Sequence, residues 1–311
     1  MKNLLRAAIA VVPFLAAPVL AHVPESAPPA DAHQIKVGAY IMSLGQFDLA
    51  TGSYTVDMYL TFRGAKEDLD KLDFEFMNGR GGRDPIKRTD TVAEYRVQAS
   101  LYEQFDFHHY PFDTQTLTIQ LEDKRLGMKE LQFTPNKSDA GIDPKIVLTG
   151  WKITGWDHAA TEQKYTGDDD SFHRFVMTTK LKRAGFSSPL KVFVPLACFL
   201  MVMGITLLLR PGSAEGRLTT NTLLLVGAVT YHVTGVMGSL PPLGYITLAD
   251  WVCIATYVVI GASLLQSVRM FRLAVSDQKD AAMTVYKQSL TLVPLAAAIA
   301  YPVAILAGMN L

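Results

Sequence analysis

Four long apolar stretches constrain this chain more than any other feature. About Val192 to Leu209, Leu218 to Met237, Ile246 to Val268 and Leu290 to Met309, each is near the ~20 residues that a helix needs to cross a hydrocarbon core of roughly 30 Å. Charged residues crowd the preceding two thirds instead. That asymmetry predicts a soluble domain followed by a membrane domain, and a formal net charge of zero over 311 residues gives no hint of nucleic acid. The third stretch carries Asp250 near its start, where a carboxylate still reaches the interface. Arg210 and Arg217 flank the first link and Arg269, Arg272, Lys279 and Lys287 decorate the third, whereas the middle link "GSLPPLGYITLAD" has neither Lys nor Arg. The first and third links are therefore expected in the cytoplasm. The middle link and the C-terminus then face the same side as the soluble domain, which predicts a multi-pass membrane protein with an exported N-terminal domain.

The N-terminus, "MKNLLRAAIAVVPFLAAPVLAHV", reads as a signal peptide over residues 1–21, with Lys2 and Arg6 ahead of a short apolar core and small residues at the cleavage site. A first membrane helix is the alternative, but Pro13 and Pro18 interrupt the core. His22 to His33, rich in Pro and Ala, reads as a flexible mature terminus. The exported domain, residues 22–190, holds no cysteine. Cys198 and Cys253 fall in the membrane domain, residues 191–311, as small packing residues.

Between Ile35 and Lys191 the period is two. "QIKVGAYIMSL", "GSYTVDMYLTF", "AEYRVQASLYEQF", "TQTLTIQLED", "PKIVLTGWKITGW" and "SFHRFVMTTKLKR" alternate β-branched or aromatic residues with polar ones, separated by turn clusters such as Asn78-Gly79-Arg80-Gly81-Gly82. The expectation is an antiparallel Ig-like β-sandwich without a helix of useful length.

The second apolar stretch differs from the other three. Thr219, Thr220, Asn221, Thr222, Thr230, His232 and Thr234 interrupt it, and buried hydroxyls cost free energy unless they are paired or wet. At 100° per residue Thr219, Leu223, Val226, Thr230, Val233 and Met237 share one stripe of alternating polar and apolar rings, the pattern of a helix lining a water-filled path. The competing reading is a set of threonines bonded back to their own helix inside a bundle. Leu223, Val226 and Val233 are the candidates for a hydrophobic gate.

One short run, "FDFHHYPFDTQ", places His108 and His109 between Asp106 and Asp113 among aromatics. Consecutive residues on an extended chain point to opposite sides, and no third ligand stands at metal spacing. No metal, cofactor or catalytic group is therefore expected, and an enzyme has little behind it. "YPFDTQTLTI" resembles the signature loop of the pentameric ligand-gated ion channels, the Cys-loop receptor superfamily, in its prokaryotic form. "VLTGWKI", "LKRAGFSSPLKVFVPL" with Pro195, "EGRLTT" and "LPPLGYITLAD" resemble further segments of that family in the same order. Glu103 and Leu117 stand where the loop's cysteines would be, so no disulfide closes it.

The resemblance implies a homopentamer in a lipid bilayer, with a β-sandwich and four helices per subunit, conducting ions along the second helix in response to a small molecule or protons. It implies that Tyr110, Pro111 and Phe112 press on the link at Leu240, Pro241 and Pro242, and that Asp113 pairs with Arg183, with Asp48 as a second carboxylate. By the same likeness Glu215 at the cytoplasmic mouth favours cations, and Arg217 faces away from the lumen. The candidate ligand or proton sites are Glu122, Asp123 and Arg125 in "LEDKR", Tyr165 and Phe172 around the capping loop, and His232, which lies off the stripe. Matching both ends of the second stretch to the family leaves one surplus residue, which puts the register beyond Thr230 in question. A short cytoplasmic link, about Ser276 to Tyr286, fits prokaryotic members. The region between Phe62 and Tyr95 is shortened, and the alternative function is a non-conducting periplasmic sensor anchored by four helices.

Overall fold

In the computed structural model, residues 33–166 and 171–310 are described. The signal-peptide reading of residues 1–21 lies outside them. Two sheets face each other. The first has the order β4-β5-β2-β1-β7, with β8 also on β1, from β1 (His33–Asp48), β2 (Ser53–Arg63), β4 (Gly79–Arg88), β5 (Val92–Tyr102), β7 (Leu131–Pro135) and β8 (Gly141–Ile142). The second has the order β3-β6-β10-β9, from β3 (Phe74–Phe76), β6 (Thr114–Asp123), β9 (Trp151–Lys164) and β10 (Ser171–Arg183). Alternation drives this arrangement. Along β2 the side chains of Tyr54, Val56, Met58 and Leu60 are buried while Thr55, Asp57 and Tyr59 are not. They meet Phe74, Phe133 and Phe175 in the core between the sheets, each fully buried aromatic removing well over 100 Å² from water.

Three features depart from the sequence reading. A six-residue helix, α1 (Lys66–Lys71), buries only Asp68 and Leu69, too few apolar positions to show a period. The cluster Asn78–Gly82, expected as a turn, runs into β4, an edge strand exposed along nearly its whole length. Gly79 and Gly81 answer to close packing rather than to a bend: a Cβ would stand 2.3 Å from the Ser100 carbonyl oxygen at Gly79 and 2.8 Å from the Ala99 Cβ at Gly81. The segment "PKIVLTGW" is irregular up to the turn at Gly150, whose φ of 82° suits glycine, and β9 begins only at Trp151.

Four helices long and apolar enough to cross a membrane follow: α2 (Ser187–Thr206), α3 (Ala214–Tyr231), α4 (Leu248–Val275) and α5 (Lys279–Met309). The last link shrinks to Ser276–Gln278, shorter than expected, because the polar start of α5 is already helical and buries Ala282, Val285 and Ser289. Cys253 is buried as expected, whereas Cys198 is exposed on α2, on a face that no other helix of the subunit covers. A polar cluster ties three helices together. Asn221 on α3 donates to Ser263 and Ser267 of α4 at 3.1 and 2.9 Å, and its carbonyl accepts from Thr206 of α2 at 3.2 Å, so these buried groups are mutually satisfied.

Candidate pore helix and coupling interface

Helix α3 buries Ala214, Arg217, Asn221, Leu224 and Ala228, one face at helical spacing. The opposite face carries Glu215, Thr219, Leu223, Val226 and Thr230, all exposed in the single subunit, and Val233 and Met237 continue the exposure beyond it. Thr220, Thr222 and Thr234 donate to the carbonyls of Gly216, Leu218 and Thr230 at 2.8, 3.0 and 2.8 Å. Bonding back to the helix therefore accounts for three threonines off the stripe. The hydroxyls of Thr219 and Thr230, on the stripe, make no hydrogen bond among the described residues. Glu215 projects from the first turn, while Arg217 is wholly enclosed on the other side.

Beyond Tyr231 the helix changes type. A π-helical turn spans His232–Val236, followed by a 3₁₀ turn at Met237–Ser239. A π turn takes up one more residue than an α turn, which is the surplus that the sequence comparison left over. His232 is fixed at the first residue of this turn: Nδ1 lies 2.8 Å from the Tyr257 hydroxyl and Nε2 lies 2.7 Å from Asp250 Oδ1. The other oxygen of Asp250 accepts from the backbone N–H and the hydroxyl of Thr247, both at 2.8 Å, completing a capping box at the start of α4. One carboxylate thus holds the start of α4 and the π turn of α3 together.

Residues 105–113 form the surface that meets the helices. Phe105, Phe107 and Tyr110 are buried and fix the loop to the sandwich. The carbonyl oxygens of His108 and Tyr110 accept from the N–H groups of Leu248 and Ala249 at 2.8 and 3.1 Å, satisfying donors that a helix start leaves free. The His108 ring stacks on Tyr245 with centroids 3.8 Å apart, and the Tyr245 hydroxyl accepts from Phe107 N at 2.9 Å. The Tyr110 hydroxyl lies 3.1 Å from Ser239 Oγ, and Phe112 lies beside Phe193 of α2 at 5.9 Å. His109 is exposed. No group of three metal-ligating side chains occurs among the described residues. Burial opposes the charge on Asp106, yet bonds from the His108 backbone and ring hold its carboxyl below the usual range. The link is tied to the loop through Ser239 and Tyr245, and Leu240 packs on the core.

Behind the loop, Arg183 Nε donates to Asp113 Oδ1 at 2.5 Å. Asp113 is 2% exposed and its second oxygen accepts from Gln115 at 2.8 Å. The guanidinium stands over the rings of Tyr110 and Trp151, 4.9 and 4.6 Å from their centroids, a cation–π arrangement. Asp48 does not join this pair. Its carboxylate accepts from Ala50 N and the Thr51 hydroxyl at 2.9 and 2.8 Å, bonds that hold it below the usual range, because Asp-x-x-Thr closes a local turn. Arg183 Nη2 is left without a partner among the described residues.

The gamma-aminobutyric acid receptor subunit rho-2 of Rattus norvegicus is 22% identical over 188 residues, 60% of this chain and 40% of that protein. The Homo sapiens rho-2 subunit is 22% identical over 173 residues, 55% of this chain and 37% of its own. The proton-gated ion channel of Gloeobacter violaceus is 21% identical over 202 residues, 64% of this chain and 55% of that protein. The chain is a Cys-loop-receptor relative with the pentameric ligand-gated channel fold. It spans about half the length, or less, of these relatives, and no family model matches it. The channel fold makes it a multi-pass membrane protein, and its relatives are receptors and channels rather than enzymes.

In this channel fold the hairpin of β9 and β10 and the turn after β6 are where the sequence pointed for a ligand. Glu122 is buried and accepts from Arg174 Nε at 2.6 Å and from the Tyr165 hydroxyl at 2.8 Å. Arg174 also reaches the Tyr165 hydroxyl at 2.9 Å, and burial and then the Glu122 carboxylate push that phenol up. Asp123 accepts from the backbone of Arg125, Leu126 and Asp73 at 2.9, 2.9 and 2.8 Å, and so shapes the turn. Arg125 donates to the Lys71 carbonyl, and Tyr165 meets Phe172 edge-on at 5.9 Å. These side chains do gather at one end of the second sheet, with both carboxylates satisfied internally. Arg174, Gln115, Trp151, Ser239 and Tyr245 went unnoticed in the sequence. Gln115 acts within its own loop, on Asp106 and Asp113, while the others depend on a partner across a sheet or an interface, and only Tyr245, the one aromatic in its link, left a local signal.

Proposed function

We propose that five copies of this chain form a gated cation channel, with the exposed face of α3 lining a water-filled pore. The observation that carries the proposal is the division of α3. Thr219, Leu223, Val226 and Thr230 are presented outward together with Glu215, and the positive charge of Arg217 is turned to the opposite side. A ring of Glu215 carboxylates at the pore mouth concentrates cations and repels anions, and Leu223, Val226 and Val233 form the rings that close the pore by dewetting. The β domain faces the periplasm of a bacterial inner membrane, the first and third helix links face the cytoplasm, and the loop at residues 105–113 transmits movement to α4 and to the end of α3.

Protons and a small molecule are both candidate stimuli. The paired carboxylates Asp57, Asp73 and Asp139 are held below the usual range, chiefly by hydrogen bonds from Arg96, Arg83 and Arg63, and are poor sensors near neutrality. The candidate sensor is His232, whose two ring nitrogens face Tyr257 and Asp250. Moving a gate from 1:99 to 99:1 takes about 5.5 kcal/mol, a load that five subunits divide to roughly 1.1 kcal/mol each.

Recording across a tenfold NaCl gradient tests the selectivity directly. The wild-type reversal potential should approach the sodium limit of about 59 mV, and Glu215→Gln should move it toward zero by roughly half. A reversal potential that the substitution leaves unchanged refutes the assignment of Glu215.

A further inference from the structure

Arg217 is the largest fully buried side chain among the described residues, at 0% exposure. None of its three guanidinium nitrogens has a hydrogen-bond partner among the described residues. An enclosed, unpaired charge costs several kcal/mol, so its surroundings decide whether the subunit itself could supply the counter-charge. On the same face one turn further on, Asn221 is already occupied by Thr206, Ser263 and Ser267. Ser289 donates to the Tyr286 carbonyl, and the Gln266 side-chain oxygen is approached by Arg269. Tyr286 lies within electrostatic reach of the guanidinium without a hydrogen bond to it. The apolar neighbours at this level are Ala214, Met270 and Val285.

Carboxylates do not fill the gap. Glu215 is exposed on the opposite side of α3, Asp277 pairs with Lys279 at 3.2 Å, and Asp280 is exposed at the start of α5. Helix position adds to the imbalance. Arg217 stands on the first turn of an 18-residue helix whose Ser213 offers no side-chain cap, and side chains on a helix lean toward its N-terminus. The guanidinium therefore adds to the positive end of the helix dipole, an arrangement that favours an anion. Arg210, Arg269, Arg272, Lys279 and Lys287 stand exposed at this same end of the bundle. They outnumber the carboxylates there.

We propose that Arg217, with the N-terminus of α3, binds a phosphate-type oxyanion at the end of the helix bundle away from the β domain. The planar guanidinium suits bidentate contact with phosphate oxygens. The first turn of a membrane-crossing helix also lies next to the headgroup layer, from which a phosphate reaches the guanidinium by parting the side chains that enclose it. The phosphate comes from a lipid headgroup or from the aqueous phase. This site is separate from the pore face, so it does not depend on cation selectivity; it rests only on the helices crossing a membrane.

Full-length protein in phosphatidylcholine nanodiscs separates the two sources. One arm adds phosphatidylglycerol to the bilayer, and the other adds inorganic phosphate against equal chloride. Thermal melting reads binding in both, since a ligand bound only to the folded state raises the midpoint. A saturable rise with phosphatidylglycerol alone assigns the headgroup, and a rise with inorganic phosphate assigns the free ion. Either rise should vanish in Arg217→Gln. Should that variant fail to assemble, Arg217→Lys is used, and its affinity should fall at least about tenfold with loss of the bidentate fork. The absence of a saturable rise in the wild-type protein in both arms overturns the proposal, as does an unchanged response in the variant.

Discussion

Arg183→Ala should abolish gated current. The substitution leaves the Asp113 carboxylate buried with only Gln115 to answer it, and removing one partner of such a pair typically costs about 3–5 kcal/mol. It also empties the space between Tyr110 and Trp151, where the guanidinium makes two ring contacts, each worth about 0.5–2 kcal/mol. Tyr110 is the residue whose carbonyl and hydroxyl engage Ala249 and Ser239, so the damage falls where the β domain meets the helices. Asp113→Asn keeps the shape and removes the buried charge, and should be the milder change. Assembly is checked by size-exclusion chromatography and gating by bilayer recording. Full-size currents from Arg183→Ala at unchanged agonist sensitivity would dismiss the coupling role.

A second large effect is expected at Asp250. Alanine there removes the carboxylate half of the capping box at the start of α4, while Thr247 Oγ1 still accepts from the backbone N–H of residue 250, and strips His232 of its carboxylate partner. Together these should lower stability by about 2–4 kcal/mol, since loss of a hydrogen bond to a charged group adds about 1.5–3 kcal/mol. On the scale of about 2–4 °C per kcal/mol for chains of this size, the melting midpoint in detergent should fall by roughly 5–15 °C. His232→Gln keeps the cap and should cost less. Residues in direct contact do not act additively, so the double variant should be about 0.5–3 kcal/mol less destabilised than the sum of the singles. Strict additivity would show that the 2.7 Å contact carries no energy. Any acid-evoked current should disappear in both single variants if His232 is the sensor.

Five of the six strands that the sequence revealed have one buried face, and the sixth, β9, runs through half-buried and exposed positions. β1, β2, β5, β6 and β10 alternate because they line the core, whereas β4 is exposed throughout and α1 contributes Leu69 as its only buried apolar residue. Neither has a period to read. The spans were legible from apolar length, but their ends were not: the polar residues from Lys279 to Lys287 look like a link and are the first turns of α5. In the coupling region the Asp113–Arg183 contact joins residues 70 apart in sequence, and family likeness rather than periodicity brought them together. Asp48 failed for a local reason, since its own turn satisfies it before any distant arginine can. The π turn left a faint trace, one residue too many between two recognisable ends. Arg217 was legible as a residue on the side of α3 away from Glu215, but its isolation emerges only when every neighbour's bonds are accounted for.

The central claim is that the hydroxyl-bearing face of α3 meets water inside an assembly, and single cysteines at positions 219 and 230 test it most directly. They are introduced after replacement of Cys198 and Cys253, and a charged, membrane-impermeant thiol reagent is applied while current is recorded. The account predicts that both positions react in the open state and that the modification blocks conduction, whereas a cysteine at the buried position 228 does not react. Positions 219 and 230 remaining unmodified under every stimulus would contradict it.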